Sequence, residues 1–336
     1  MPAADTLRLS LSIDPLPLKS PFRIAGHVFD AMPALVARMD DGMHAGRGEA
    51  CGVYYFDDTP QSMRRTLEAC RAEIETGVDR HGMRALLPPG GARNAVDCAL
   101  WELEARRAGT SVAALAGVAS PRPLLTTFTL GADDPAVVAE GARGFAQARA
   151  LKLKLDGDVE ADIARIRALR GVRPDVWFGV DANQGYAPAT IEPLLRELSD
   201  QEVHLLEQPF PRGSDADMEG FDCDIVLAAD ESVQGLDDIE ALVGRFDVVN
   251  IKLDKCGGLT EGLLMAERAR ALGMRVMVGN MLGTSWAAAP AFVLGQQCDI
   301  VDLDGPTFIS RDRTPAVSYH DGMIACSPDV WGGASP

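Results

Sequence analysis

The 336-residue chain has no long hydrophobic run. No apolar stretch approaches the roughly 18 residues that a membrane helix needs, so no membrane partner is expected. Its seven cysteines, Cys51, Cys70, Cys98, Cys223, Cys256, Cys298 and Cys326, stand singly, and no Cys-x-x-Cys occurs. The odd count and the scatter argue against a disulfide framework or a zinc site, and for reduced thiols in a cytoplasmic protein. The start, Met1-Pro-Ala-Ala-Asp-Thr, lacks a basic region followed by an apolar stretch, so no signal peptide is expected. Basic residues are outnumbered, with 32 Lys and Arg against 49 Asp and Glu and a formal net charge of −17. Nucleic-acid binding rests on basic patches, so that class is set aside. The charge does not exclude a small anionic substrate, which a local metal and a few lysines can capture inside an acidic protein.

What is present is a repeat. From about Leu124 onward, short apolar strands alternate with amphipathic segments. The strands read as Thr126–Leu130, Leu151–Leu155, Trp177–Asp181, His204–Glu207, Ile225–Asp230, Val248–Leu253, Arg275–Asn280 and Asp299–Asp304. Helix patterns such as Pro135–Ala150, Val159–Arg170, Thr260–Leu272 and Thr284–Gly295 lie between them. Strand–helix units at this spacing predict an α/β protein, a parallel (β/α)8-type barrel. A doubly wound sheet would show a Gly-rich phosphate turn after its first strand. The turn after Leu130 is Gly-Ala-Asp-Asp-Pro, which is not one.

The first 120 residues do not follow this period. Leu7–Ile13, Ala34–Met39 and Gly46–Ala50 read as a small meander, and Thr59–Thr76 and Ala92–Ala108 as helices. The expected division is an α+β capping domain over residues 1–120, the barrel over 121–310 and a tail over 311–336 that packs back on the cap. Pro121-Arg-Pro123 is the linker in this reading.

Five barrel strands end in a single charge. Lys154 closes Leu151-Lys-Leu-Lys-Leu155, Asp181 sits in Val180-Asp-Ala-Asn183, and Glu207 in Leu206-Glu-Gln-Pro209. Asp230 sits in Ala229-Asp-Glu-Ser232 and Lys252 in Val249-Asn-Ile-Lys-Leu253. A buried charge is costly unless it is paired or bound to metal. The strand ends of such a barrel face one cavity. Acids from three consecutive strands therefore meet, and hard oxygen ligands select Mg2+. Lys152 and Lys154 share a strand face, and each cation is expected to push the other's pKa down towards neutrality. Lys255, in the loop after Lys252, is expected to be structural. A carboxylate held by the cation has an acidified α-carbon and gives an enediolate on losing its proton. Lysines on either side could remove that proton from one face and return it to the other, as a racemase or epimerase does.

These segments resemble the enolase superfamily, muconate-lactonizing subgroup, and within it the bacterial L-Ala-D/L-Glu, or dipeptide, epimerases. The resemblance also covers Ala92-Arg-Asn-Ala-Val-Asp-Cys-Ala-Leu-Trp-Glu-Leu103, Val249-Asn-Ile-Lys-Leu-Asp-Lys-Cys-Gly-Gly258 and Asp302-Leu-Asp-Gly-Pro306. It implies an enolase-like barrel with a capping domain, a dipeptide substrate and a homo-oligomer. Lys154 and Lys252 would then be the acid/base pair, with Lys152 tuning Lys154 and touching the substrate carboxylate. Asp181, Glu207 and Asp230 would hold Mg2+, and Asp302 and Asp304 the dipeptide's free ammonium. Strand 7 ends in Gly279-Asn280 with no histidine, which sets aside the Lys/His pairing of the mandelate racemase branch. In L-Ala-D/L-Glu enzymes a cap-loop Arg is expected to reach the Glu side chain. Here Ser20-Pro-Phe-Arg-Ile-Ala-Gly-His-Val28 offers Arg23 and His27. L-Ala-L-Glu is the first candidate substrate. The rivals are an N-acylamino acid racemase or cycloisomerase on the same scaffold, whose substrates lack the ammonium, and a non-catalytic metal-binding barrel, which would not need both lysines.

Overall fold

The computed structural model describes residues 7–24, 27–219, 221 and 223–333, with the side chains of all of these except His27 and Asp215. Five strands come first: β1 (Arg8–Asp14), β2 (Pro17–Ile24), β3 (His27–Ala31), β4 (Ala34–Asp40) and β5 (Ala45–Ala50). β1, β4 and β5 form an antiparallel sheet in that order. Alternation drives it, since Leu9 is buried while Arg8 and Ser10 on either side face solvent. β2 and β3 form a two-stranded hairpin that the sequence reading did not contain, and Leu18 of β2 also bridges to Ile309. The helix expected over Thr59–Thr76 is two, Pro60–Ala69 and Arg71–Glu75, with Cys70 off helical geometry between them. Thr59 caps the first and Pro60 occupies its first position, where a missing N–H costs nothing. The long helix Gly91–Arg107 closes the cap core, burying Val96, Leu100 and Leu103 against Leu35, Met39 and Met63.

The barrel follows a short strand β6 (Leu124–Leu125). Its strands are β7 (Phe128–Leu130), β8 (Ala150–Lys154), β9 (Trp177–Asp181), β10 (Leu205–Glu207), β11 (Val226–Ala229), β12 (Val248–Lys252), β13 (Arg275–Gly279) and β14 (Ile300–Asp302). They form one parallel sheet in sequence order. The ring closes between β7 and β14, where the Thr127 N–H donates to the Val301 carbonyl at 3.0 Å. Residues of alternate parity point out and in. Leu151, Leu153 and Leu155 pack outward into the main core under the helices. Leu205, Ala228, Val248 and Met277 plug the barrel at the N-terminal ends of its strands. At the C-terminal ends of β8 to β12 and β14 the inward positions are charged instead.

Three units lack a full helix. β10 is followed by the 3-10 turn Asp215–Met218, β11 by Leu236–Asp238 and the single turn Ile239–Leu242, and β14 by the single turn Gly305–Phe308. Pro211 and Gly213 break helix propensity after β10. In the tail, β15 (Ser318–His320) pairs with β16 (Met323–Ala325) and β16 with β6, while Trp331 Nε1–H donates to the Arg47 carbonyl of the cap at 2.7 Å. No described helix is long and apolar enough to cross a membrane.

The cap is pinned over the barrel mouth by buried polar contacts. Glu49 of β5 accepts from the Thr284 N–H at 2.8 Å and from Arg313 Nη2 at 2.7 Å. The helical motif at residues 92–103 docks on the helical turn Leu253–Cys256 and the start of the helix Leu259–Ala271 that follow β12. Its Arg93 reaches the Cys256 carbonyl, Asp97 accepts from the Thr260 N–H at 3.0 Å, and Trp101 Nε1–H donates to Thr260 Oγ1 at 3.0 Å.

Candidate active site

Each of the five strand-end charges arrives where its strand's register puts it. Lys154 pairs across the ladder with Asp181, and Asp181 with Glu207. Asp230 lies just beyond β11, two residues above Ala228, the register partner of Glu207. Asp181, Glu207 and Asp230 are buried, and one oxygen from each lies within 4.8 Å of the others. Ligand oxygens on opposite sides of an octahedral Mg2+ sit about 4 Å apart, so this all-oxygen cluster fits a hard divalent cation.

The lysines face the same cluster from two sides. Lys154 Nζ lies 2.5 Å from Asp181 Oδ2. Lys152 Nζ donates to Asp302 Oδ2 and, at 3.2 Å, to Glu207 Oε2. Lys252 Nζ lies 2.6 Å from Asp230 Oδ2. β8 and β12 stand four strands apart in a ring of eight, so their lysines confront each other across the mouth. Room for Lys252 depends on its ladder partner Gly279. A Cβ there would lie 3.0 Å from Lys252 Cε and 2.8 Å from Asn250 Oδ1.

The electrostatics correct one expectation. Burial does act to lower the pKa of Lys152, but the charges of Asp302, Glu207 and Asp181 outweigh it, and the ammonium is held above its ordinary range. Lys252 is raised for the same reason, with Asp230 the leading acid. The acids, not a neighbouring lysine, set the sign. Among the acids themselves burial dominates. Glu207 is pushed up to about 7 by burial and by the charge of Asp181. Asp230 goes the other way, as Lys252 and Lys255 together overcome its burial.

Lys255 follows β12 in the helical turn Leu253–Cys256, not in a loop. Its ammonium is buried and donates to Asp230 Oδ1 at 2.6 Å and to the Asn250 carbonyl at 3.2 Å. It therefore orients Asp230 from behind the site.

Asp302 and Asp304 both line the cavity, at the seam where the ring closes. Asp302 is engaged by Lys152 through one oxygen and by the Thr127 hydroxyl through the other. Asp304 Oδ2 accepts the Thr129 N–H at 2.6 Å. Burial and the neighbouring Asp302 charge push its carboxyl up to about 7. Arg23 is not brought to this group. It is half-exposed and pairs with Asp133 at 3.3 Å. His27 lies on β3, and its side chain falls outside the described residues.

Several residues at the site were given no role by the sequence reading. Asn183 and Glu231 flank the acids, and Asn250 donates to Glu207 Oε1 at 2.8 Å. Asn183 Oδ1, Glu231 Oε2, Asn250 Oδ1 and the Tyr55 hydroxyl are buried with no partner in the protein. Asn250 had a readable signal, since it lies two residues before Lys252 on the same strand face. Tyr54 and Tyr55 come from a 3-10 turn in the cap, which no strand pattern marks.

One contact ties the cap to the Lys252 turn. Asp254 Oδ1 accepts the N–H groups of Cys51 at 3.0 Å and Gly52 at 3.1 Å. Gly52 has φ +78°, and a Cβ there would meet the Asp58 carbonyl oxygen at 2.1 Å. Burial, reinforced by the charges of Asp58 and Glu49, pushes the Asp254 carboxyl up to about 7. A raised carboxyl contributes stability that is fully present below the unfolded value near ~4 and is lost as pH rises through the folded value. The chain should therefore lose stability between about pH 4 and 7 by on the order of 4 kcal/mol from this group. Asp254→Asn keeps an acceptor oxygen and removes the charge. Its Tm should fall less than that of the wild type between pH 5 and pH 8, and equal slopes would contradict the assignment.

Comparison with known proteins places this geometry. The model of the mandelate racemase / muconate lactonizing enzyme N-terminal domain matches residues 13–117, and that of the enolase C-terminal domain-like family matches residues 136–329. The L-Ala-D/L-Glu epimerase of Escherichia coli is 38% identical over 311 residues, which cover 92% of this chain and 96% of that protein. An enolase family member from Agrobacterium tumefaciens, solved with sodium and L-Ala-L-Glu, superposes with a TM-score of 0.92 at 34% identity, covering 97% of this chain and 100% of that one. A dipeptide epimerase from Enterococcus faecalis, solved with Mg and L-Leu-L-Tyr, gives a TM-score of 0.89 at 25% identity, over 97% of this chain and 99% of that one.

Proposed function

The chain belongs to the mandelate racemase / muconate lactonizing enzyme family of the enolase superfamily, and from that premise we propose that it is a Mg2+-dependent dipeptide epimerase acting at the α-carbon of the C-terminal residue. The observation that carries this reading is the pair of lysines facing one carboxylate triad from strands four apart. One base would racemise poorly, because a proton removed from one face must be delivered to the other.

Asp181, Glu207 and Asp230 would hold the divalent cation, which would supply positive charge beside the substrate carboxylate as its α-carbon loses a proton. Lys154 and Lys252 each face one side of the reacting carbon. One takes the α-proton as a neutral amine while the other, as ammonium, supplies a proton to the opposite face. Lys152 stays protonated between Asp302 and Glu207 and holds the substrate carboxylate. Asp304, with Asp302 beside it, clamps the free ammonium of the first residue, which neutralises a carboxyl that burial disfavours as an anion. The same reading includes a homo-oligomer in the cytoplasm, which light scattering and fractionation would test.

The test is a panel of L,L-dipeptides in D2O with Mg2+, read by mass spectrometry for a one-deuteron gain. Free dipeptides should exchange and epimerise. Their N-acetyl derivatives should be at least tenfold poorer in kcat/KM, because a buried acid left without its cationic partner costs about 2–5 kcal/mol. A preference for N-acyl amino acids would replace this reading with the acylamino acid racemase, and absence of any exchange would sink it.

A further inference from the structure

Taking the dipeptide reading as its basis, we propose that the side chain on the epimerised carbon is apolar, and that this pocket selects against acidic and basic side chains there. The roof and walls of the cavity carry the inference. The cavity is open in part to solvent, with about 630 Å³ of empty space when the solvent at its mouth is included. The β2–β3 hairpin covers it with alternating residues: Phe22 and Ile24 are buried and line the cavity, while Arg23 between them faces away. Phe22 packs edge-on against Phe308 at 4.8 Å between ring centroids. Phe29, from the second hairpin strand, does the same against Tyr54 at 5.5 Å. All four rings line the cavity.

Charge excludes the other classes. Among the described residues, the cations that line the cavity are Lys152, Lys154 and Lys252, and each is already paired with an acid of the reacting centre. No arginine lines it, and Arg23 is committed to Asp133 outside. A glutamate side chain would bring a further carboxylate under an aromatic roof, above a floor that already holds Asp230, Glu231, Asp302 and Asp304. Removing a carboxylate from water without a cation to meet it is costly. A lysine or arginine side chain would lose its hydration against the same rings, with Asp230 and Asp302 below already engaged by the protein's own lysines and Asp304 taken by the dipeptide's ammonium. An apolar side chain gains from the burial that the charged ones resist.

The experiment compares kcat/KM for L-Ala-L-Phe, L-Ala-L-Leu, L-Ala-L-Glu and L-Ala-L-Lys with the Mg2+-loaded full chain, by α-deuteron incorporation. The apolar pair should exceed the two charged substrates by at least tenfold. A preference for L-Ala-L-Glu or L-Ala-L-Lys would overturn the inference and leave the epimerase reading standing. Exchange from none of the dipeptides would overturn both. Phe29→Arg gives a second readout. Phe29 is only half-buried, so a guanidinium can sit there partly hydrated while its head faces the cavity. This variant should raise the ratio of L-Ala-L-Glu to L-Ala-L-Phe turnover at least tenfold, and an unchanged ratio would remove Phe29 from the specificity wall.

Discussion

Lys252→Ala should lower epimerisation by about 10²–10⁴-fold in both directions, the usual contribution of a positioned general acid or base. The loss is symmetric because each direction needs Lys252 once, as base for one antipode and as acid for the other. Exchange of the α-proton with solvent is a different matter. With Lys154 intact, one antipode should still gain deuterium without inverting. Lys154→Ala should show the mirror pattern, exchanging the other antipode. A merely structural lysine would depress both activities together. The fold should tolerate the change, because Lys255 still engages Asp230 through Oδ1 and the Asn250 carbonyl. The measurement is deuterium uptake against optical rotation for each antipode. If both single variants epimerise at the wild-type rate, the two-base assignment is wrong.

Removing the metal should abolish activity, and Mg2+ should restore it. Three buried carboxylates within 4.8 Å of one another repel, and the protein offsets this with Lys154 at Asp181, Lys152 at Glu207, and Lys252 and Lys255 at Asp230. A divalent cation neutralises the cluster directly, so binding should also stabilise the fold. At a hundredfold excess over Kd the gain is about 2.7 kcal/mol, visible as a rise in Tm. Asp230→Asn should abolish that rise. It should also destabilise the apoprotein by about 3–5 kcal/mol, because Lys252 and Lys255 both lose their shared anion. Full activity after rigorous chelation would end the metal-dependent reading.

The barrel was legible because its signal is local. An apolar run that alternates with inward residues and stops on a charge can be read from five or six positions, and Trp177–Asp181 is bounded as the sequence suggests. The triad was legible for the same reason, being three strand ends in a row. Long-range pairings were not. Nothing near Lys152 announces Asp302, 150 residues on, yet that contact sets the direction of its pKa. The β2–β3 hairpin was missed because Pro17–Ile24 mixes proline, exposed polar residues and only two buried apolar ones, a weak strand signal whose hydrophobic face is the roof of a cavity. Arg23 was singled out by charge, but its parity on the strand turns it away from the site.

The seam of the ring has a consequence for synthesis of the chain. β7 and β14 meet through contacts that span some 175 residues, among them Thr127 with Asp302 and Thr129 with Asp304. Closing so long a loop comes late, after the local strand–helix pairs have formed. A nascent chain that has emerged only as far as β13 carries the acid triad and both lysine-bearing strands, but it lacks Asp304 and has no Asp302 for Lys152. The last barrel strand to leave the ribosome completes the hydrogen-bonded ring and, on the proposed function, brings the carboxylates that would meet a dipeptide's ammonium, so a chain truncated before β14 should not act on peptides.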